Sequence, residues 1–195
     1  MVYSRKVDAK LYTFGVSGRL YKSNVLLYDH QTESLWSQLM EKAVSGDLAG
    51  QALKVLPANR MKWASWRKQH PQTLVLSTET GYSRNYSIDP YEGYYRIGAL
   101  MFPVGNVRRD FSAKKRILGI KMHSDARAYP LDELSARPGI YNDRLGGSAI
   151  RIEVGGDGQI VAVIDQDGQP VAHIFAFWFA WQAFHPQTGI YTMAD

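Results

Sequence analysis

The chain has 195 residues, an ordinary apolar fraction and a formal net charge of +5 at pH 7. This length is enough for one sizeable globular domain or for two small ones that share a core. It contains no cysteine, and this excludes disulfides, thiolate metal sites and cysteine nucleophiles. The N-terminus MVYSRKVDAK lacks the apolar core of a signal peptide, and the apolar stretch at residues 174–184 is shorter than the roughly 20 residues of a membrane-spanning helix.

The first part of the chain predicts short β-strands joined by tight turns. Runs rich in aromatic and branched residues are separated by Gly, Asp, Asn and Ser; they read KLYTFGVSG, RLYKSNVLLYD, SLWSQ, KAVSG and QALKVLP. An amphipathic helix follows, with Asn59 as its expected N-cap. We expect it to end at His70, because Pro71 disfavours a helical conformation in the residue before it. The sequence TLVLS, residues 73–77, then predicts a strand.

Residues 78–116 are rich in Tyr, Gly and Pro and show no strong periodicity. A connection of this length is unusual inside a compact domain, and such segments are often functional. We therefore expect ligand-binding side chains here, with Arg84, Tyr86, Tyr91 and Tyr94 as candidates. The alternative is a strap whose tyrosine rings pack on the core while their hydroxyl groups stay in water.

From residue 117 the chain resumes as predicted strands, separated by the turn signals GGDGQ and DQDGQ. The helix that follows is apolar on nearly every side, which indicates burial. The sequence predicts one α+β domain, with a mostly antiparallel sheet or a partly closed barrel. Two unequal repeats would build it, each ending in a Trp-rich helix: repeat one at about 10–77, a Tyr-rich connection at 78–116 and repeat two at about 117–193. The second helix would be central, and the first would cover an edge or a face.

The phrase W-x-x-W-x-x-x-H-P-Q-T occurs twice, at residues 63–73 and 178–188. Tryptophans at positions i and i+3 share one helix face, so each pair is expected to anchor its helix in the core. An exposed pair could instead form a stacking platform for a sugar or a base. His70 and His185 allow two interpretations. Each could end its helix beside unpaired carbonyl groups, or the two could act as general bases or metal ligands. Local geometry accounts for the whole phrase, and we favour the structural interpretation.

A hydrolase-like site can be assembled from His70 with Asp29 or Ser37. No G-x-S-x-G elbow surrounds Ser37. The surrounding stretch YDHQTESLWSQ is more typical of a hairpin in which Asp29 bonds to its own turn.

Two further sets of residues are candidates for binding. Asn142 and Asp143 precede a glycine pair in YNDRLGG; they predict a tight turn, and they could also orient a ligand. Basic residues concentrate between residues 108 and 121 and suggest association with an anionic polymer, but basic surface without a named motif does not predict nucleic-acid binding. The spacing of the histidines matches no metal site, and GGDGQ and DQDGQ do not continue as calcium-binding loops. The sequence therefore predicts no metal and no cofactor.

Several long segments resemble, in order, a bacterial and archaeal family catalogued as a domain of unknown function, the 3179 family. They are GVSGRLYKSNVLLYDHQTESLWSQ, WASWRKQHPQTLVLS, GYSRNYSIDPYEGYY, LGIKMHSDARAYPLDEL, YNDRLGG and AFWFAWQAFHPQTGIY. The resemblance covers the chain from about Leu11 to Tyr191 and implies no activity that could be transferred to it.

The resemblance also implies a difference from the family. Its members usually begin with a further segment similar to residues 117–155, which carries a Tyr-Cys-Pro-Leu-Cys motif and often follows a secretory leader. Here the chain starts downstream of that motif, so we expect either a shortened member or missing upstream sequence, and no thiol chemistry. Open sheet edges would then favour self-association, and the cellular compartment stays open.

These observations assign no specific activity to the protein. The leading hypothesis is a non-catalytic binding or interaction module. Its partner would be a small molecule or a protein bound by the Tyr-rich loop at residues 82–95. The hydrolase-like site at His70 and the anionic-polymer site at residues 108–121 are the alternatives.

Overall fold

The computed structural model describes residues 1–105 and 107–193, and these residues form a β-rich α+β protein with four helices. The predicted fold class is confirmed, because the strands pair mostly antiparallel in several separate sheets. The alternative of a partly closed barrel is not supported, since none of the sheets formed by the described residues closes on itself. None of the helices in this part of the chain is long and apolar enough to cross a membrane.

Eight short strands precede the first helix: β1 (Val2–Tyr3), β2 (Lys6–Val7), β3 (Lys10–Leu11), β4 (Phe14–Tyr21), β5 (Asn24–Asp29), β6 (Leu35–Ser37), β7 (Lys42–Ser45) and β8 (Val55–Leu56). Strands β4 to β7 form an antiparallel meander, while β2 pairs with β3 and β1 with β8. The β4–β5 hairpin turns at Lys22 and Ser23, and both residues have positive φ. Positive φ at both turn residues gives the backbone twist that two-residue hairpin loops favour.

The core of this first part centres on Trp36, which is fully buried. The Phe14 ring meets it edge-on at 5.6 Å between ring centroids, and Tyr12 packs beside them. Val7 and Leu53 belong to the same cluster, so the small β2–β3 hairpin and the segment after β7 are held on the meander by apolar contact.

Helix α1 (Trp63–Gln69) is shorter than the sequence suggested, and its N-cap is Lys62 without a side-chain cap. The prediction that Asn59 caps it is wrong: the Asn59 amide Nδ2 donates instead to the Val161 carbonyl at 2.9 Å. No residue of α1 is buried. The strand predicted at residues 73–77 is also wrong, because this segment pairs with no strand of the described chain.

The Tyr-rich connection contains one short helix, α2 (Glu92–Arg96). Glu92 and Arg96 form an ion pair one turn apart along it, an arrangement that supports short exposed helices.

The second part contains the remaining elements: β9 (Arg116–Met122), β10 (Asp125–Pro130), α3 (Leu131–Ala136), β11 (Gly139–Leu145), β12 (Ser148–Val154), β13 (Ile160–Asp165), β14 (His173–Phe177), α4 (Trp178–Phe184) and β15 (Gly189–Ile190). One sheet has the order β14-β9-β10-β15, in which β15 runs parallel to β10, and a second has the order β11-β12-β13. Leu118, Tyr129 and Ile152 belong to the fully buried core that joins the two sheets.

Helix α4 packs on the first of these sheets. Trp178 and Trp181 are 0% and 1% exposed and share a core cluster with Ile117 and Ile174. A glycine in the sheet makes this close approach possible, because a Cβ atom at Gly119 would lie 2.5 Å from the Trp181 ring. The apolar sequence of the helix therefore matches its buried position, as predicted.

The two parts of the chain contact each other at the end of α4. The Lys22 ammonium donates to the Ala183 carbonyl at 2.7 Å, and the Tyr21 ring meets the Phe184 ring edge-on. A second link is the ion pair between Lys121 and Glu41 at 3.0 Å.

Candidate functional site

In the first copy of the duplicated phrase, Trp66 contacts both His70 and Thr73 at the end of helix α1. The backbone N–H of His70 donates to the Trp66 carbonyl at 2.8 Å, which ends α1. The His70 ring lies over the Trp66 ring, with 4.0 Å between centroids. The Trp66 indole N–H then donates to the Thr73 hydroxyl at 3.1 Å. His, Trp and Thr thus form one compact unit at the end of the helix.

The second copy repeats this unit contact for contact. The backbone N–H of His185 donates to the Trp181 carbonyl at 3.0 Å, and the two rings lie 4.1 Å apart. The Trp181 indole donates to the Thr188 hydroxyl at 2.9 Å. In both copies the backbone N–H of His donates to the Trp carbonyl at the helix end. The His ring packs against the Trp ring rather than beside the unpaired carbonyl groups of the helix end. The shared geometry supplies a structural reason for the phrase.

The copies differ in their surroundings. Trp178 and Trp181 are buried, as expected, but the prediction that the first pair also faces the core is wrong, since Trp63 is 49% exposed and Trp66 38%. Polar neighbours in α1 and apolar neighbours in α4 explain the difference, because only the apolar helix gains by burial on all sides.

We expect the stability of the protein to fall between pH 6.5 and about 4 because of His185. Burial, with a contribution from the charge of Lys121, lowers the pKa of this ring to about 4 from 6.5. The unfolded chain therefore takes up a proton in this window that the folded chain does not. The free energy of unfolding should drop by up to about 1.4 kcal/mol for each pH unit. Denaturant unfolding at a series of pH values measures this slope.

The matched control for this prediction is the other histidine of the duplicated phrase. His185→Gln should flatten the pH dependence of the free energy of unfolding, and His70→Gln, which changes the exposed copy, is the variant against which this change in slope is compared. Burial also lowers the pKa of His173, so part of the slope should remain in His185→Gln. An identical slope in wild type and His185→Gln would contradict the prediction.

The residues proposed for hydrolase chemistry have separate structural partners. Asp29 is fully buried and accepts hydrogen bonds from Thr32 and from the Trp36 indole at 2.8 Å. Ser37 is also buried and accepts from the backbone N–H of Met40. His70 lies on the exposed helix α1, stacked on its own tryptophan. None of the contacts of the described residues joins His70 to Asp29 or Ser37, so the structure offers this hypothesis no assembled site.

The candidates in the Tyr-rich connection lie at the surface. Arg84 is exposed, Tyr86 is 49% exposed and shares a hydrogen bond with the Thr80 hydroxyl, and Tyr91 is 54% exposed. Tyr94 is half-buried under the Lys114 ammonium, which lies 3.4 Å from its ring centroid. Three of the four side chains are therefore available to a partner, and the fourth helps to fix the segment.

Asn142 and Asp143 lie within strand β11, not in the turn. The tight turn that follows them is formed by the glycine pair, Gly146 and Gly147, both with positive φ. Asn142 is exposed, whereas Asp143 accepts hydrogen bonds from the Arg127 guanidinium at 2.5 Å and from the Tyr129 hydroxyl at 2.6 Å. This carboxylate already has strong internal partners.

Much of the basic segment at residues 108–121 is neutralised within the molecule. Arg108 pairs with Asp110, Lys115 with Asp132, and Lys121 with Glu41. Lys114 donates to the backbone carbonyls of Tyr94 and Ile97. These contacts give the segment a role in fastening neighbouring elements, and they weaken the case for an anionic polymer.

One buried polar residue has no counterpart in the predictions from sequence. His173 on β14 is 7% exposed, and its Nδ1 lies 3.0 Å from the Val171 carbonyl. That contact places the proton on Nδ1, and Nε2 is left without a partner among the described residues. The alternation HIFAF could have indicated that His173 and Phe175 share a face, but only the packing of the two sheets shows that this face is buried. The described residues contain no group of three or more His, Asp or Glu side chains placed to hold a metal ion.

A family model described as a protein of unknown function (DUF3179) matches residues 1–188. No curated protein matches the chain, and no solved structure does.

Proposed function

The chain belongs to DUF3179, a family of proteins of unknown function, and we propose that this member is a non-catalytic binding module that holds a partner protein on its Tyr-rich segment. We define this segment as residues 78–105. Many large apolar side chains lie exposed along this long segment. This is the observation on which the proposal rests.

Large apolar side chains along the segment stay in water instead of turning to the core. They are Tyr82 (73% exposed), Tyr86 (49%), Ile88 (62%), Tyr91 (54%), Tyr95 (45%), Ile97 (54%), Met101 (58%) and Phe102 (45%). Isolated exposed apolar residues are normal, but a concentration of them marks an interaction surface. Tyrosine, phenylalanine and methionine are the residue types enriched where proteins bind one another.

The segment is also fastened to the body of the protein at its C-terminal end. Lys114 binds the carbonyl groups of Tyr94 and Ile97, and the Tyr95 ring packs against Phe177. Val104 is buried in a cluster with Phe179 of α4. A surface that is held in place before binding loses less conformational entropy when a partner arrives, and this favours affinity.

Tyrosine suits such a surface because of its shape and polarity. Its ring offers a large contact area with only two rotatable side-chain bonds, and its hydroxyl group can bond to polar atoms of the partner. Tyr82 and Tyr91 are the most exposed tyrosines of the segment and are the side chains expected to contact the partner first.

Site-specific photo-crosslinking in cells that make the protein tests the proposal. A benzoylphenylalanine placed at Tyr82 or Tyr91 should give discrete adducts with a partner protein. The same probe at Val161, which is 52% exposed on β13, is the matched control and should give none. When Tyr86→Ser and Ile88→Ser are added to the protein with the probe at position 91, the adduct yield should fall by at least about tenfold. This is the loss expected when interface anchors are removed. Equal adduct yields at positions 91 and 161 would contradict the proposal.

A further inference from the structure

A cleft of about 530 Å³ lies between the start of β9, helix α3 and the segment that precedes α1. Four cationic side chains line it: Arg60, Lys114, Lys115 and Arg116. Asp132 is the one carboxylate among the described residues of its lining, so four positive charges face one negative charge and the net charge is +3. The volume is that of a site for a small molecule, and the charge favours an anionic ligand.

Two of these four cations are available to a ligand. The Lys115 ammonium lies 2.6 Å from the Asp132 carboxylate, and Lys114 donates to two backbone carbonyl groups of the Tyr-rich segment. Arg60 and Arg116 are exposed, and neither guanidinium has an ion-pair or hydrogen-bond partner among the described residues. Because like charges in one cleft repel each other, an anion bound between them lowers the electrostatic energy of the folded chain.

The walls of the cleft are fastened to the body of the protein. Beside Arg60, the Asn59 side-chain amide donates to the Val161 carbonyl at 2.9 Å. The Ser135 hydroxyl of α3 donates to the Gly158 carbonyl at 2.8 Å, which joins two parts of the opposite wall. The third wall is β9, an inner strand of its sheet. A cleft whose walls are fixed before binding loses less conformational entropy when a ligand arrives.

Apolar side chains lie beside the cations. Leu131, Ile160 and Phe175 belong to the lining. Ile160 is only 5% exposed, and the Leu131 and Phe175 side chains are half-buried against the same core cluster. Sites for small molecules combine such apolar surface with a few polar groups that fix the orientation of the ligand. The ligand that suits this cleft therefore has an apolar group next to its anionic group.

We propose that this cleft binds a small molecule in which a phosphate monoester is joined to an apolar group. A planar guanidinium binds two phosphate oxygens at once. A phosphate monoester carries about 1.5 to 2 negative charges at pH 7 and three acceptor oxygens, enough for both Arg60 and Arg116, whereas a carboxylate offers one charge and two oxygens. The net charge of +3 in the cleft favours the more highly charged of the two groups.

This site goes beyond the proposed function and does not depend on it. The described residues that line the cleft all lie outside the Tyr-rich segment. Binding of a small anion is measured with the protein alone, whereas crosslinking at Tyr91 requires a partner protein. Either proposal can therefore fail without the other.

Isothermal titration calorimetry of the full chain in a phosphate-free buffer tests the proposal, with phenyl phosphate as the probe. Wild type should bind one equivalent. Inorganic phosphate, which lacks the ring, and benzoate, which lacks the second charge and the third oxygen, should each bind at least about tenfold more weakly. No heat of binding with wild type at millimolar phenyl phosphate, or tighter binding of benzoate than of phenyl phosphate, would overturn the proposal.

Variants place the binding in the cleft. Arg60→Gln and Arg116→Gln should each weaken the binding of phenyl phosphate by at least about tenfold, the loss expected when a charge-assisted pair of hydrogen bonds is removed. Arg19→Gln is the matched control, because it removes the same charge from an exposed arginine on β4, and its affinity should equal that of wild type. Circular dichroism confirms that all three variants are folded. Equal affinities of Arg116→Gln and Arg19→Gln would contradict the assignment of the site.

Discussion

Trp181→Ala is expected to destabilise the protein by about 3–5 kcal/mol, whereas Trp66→Ala, the same substitution in the same phrase, should cost less than about 1 kcal/mol. The local contacts of the two tryptophans are alike: each stacks on a histidine and donates to a threonine hydroxyl. Only Trp181 also fills a buried space, against Gly119. The difference between the two variants therefore isolates the effect of burial from that of the local unit.

Thermal and denaturant unfolding of the two variants measure this difference. For a chain of this size each kcal/mol shifts the melting temperature by about 2–4 °C, so Trp181→Ala should lower it by roughly 6–20 °C. Phe at position 181 is a useful intermediate, since it keeps a ring but loses the bond to Thr188. Equal losses in Trp66→Ala and Trp181→Ala would mean that the first helix is covered in solution as the second one is.

Asp29→Ala is expected to cost about 1–3 kcal/mol for each buried donor that it leaves without an acceptor. The carboxylate accepts from the Thr32 backbone N–H at 2.6 Å, from the Thr32 hydroxyl at 2.9 Å and from the Trp36 indole at 2.8 Å. Without it the Thr32 backbone N–H and the fully buried Trp36 indole N–H lose the acceptor that they have among the described residues. Trp36→Phe removes one donor and keeps the carboxylate bonded to Thr32, so it should cost less than Asp29→Ala.

The ionisation of Asp29 adds a pH signature to this prediction. Burial alone would raise the pKa of the carboxyl group, but the hydrogen bonds from Trp36 and Thr32 outweigh it and hold the pKa below its usual value. The stabilisation is therefore complete above the pKa of the unfolded chain and is lost as the pH falls through the lower pKa of the folded chain. Asp29→Ala should lose stability at pH 7 and show a weaker acid dependence. A variant as stable as wild type would return Asp29 to the list of catalytic candidates.

Parts of the fold could be predicted from sequence because they depend on local geometry. The helix end at His70 follows from Pro71. The burial of α4 follows from its apolar composition. Local rules failed at residues 73–77, where a run of branched residues predicted a strand. A strand also requires a neighbour with free hydrogen-bonding groups, and no local pattern reveals whether one exists.

The candidate site residues also divide into those whose position local sequence predicted and those whose position depends on the tertiary structure. Their exposed members, Tyr86 and Tyr91, were predicted from the composition of a long connection without periodicity, and they lie at the surface. Their residue types suggested Asp29, Ser37 and His70 as one hypothetical site. Spatial proximity depends on the path of the chain, and the structure gives each of them different partners. His173 was missed because a buried histidine and an exposed one look alike in a short alternating strand.

The duplicated phrase shows which features depend on local sequence and which depend on tertiary contacts. Eleven positions carrying the pattern W-x-x-W-x-x-x-H-P-Q-T, at residues 63–73 and 178–188, determine a one-helix unit with the same hydrogen bonds and ring contacts in both places, because all of these contacts join residues within about two helical turns. Whether the unit is buried depends on what lies opposite it. In the second copy, Trp181 packs on Gly119 and the residues after the phrase pair with the edge of β10. The first copy faces water. Burial therefore depends on the surroundings of the segment and not on the segment itself.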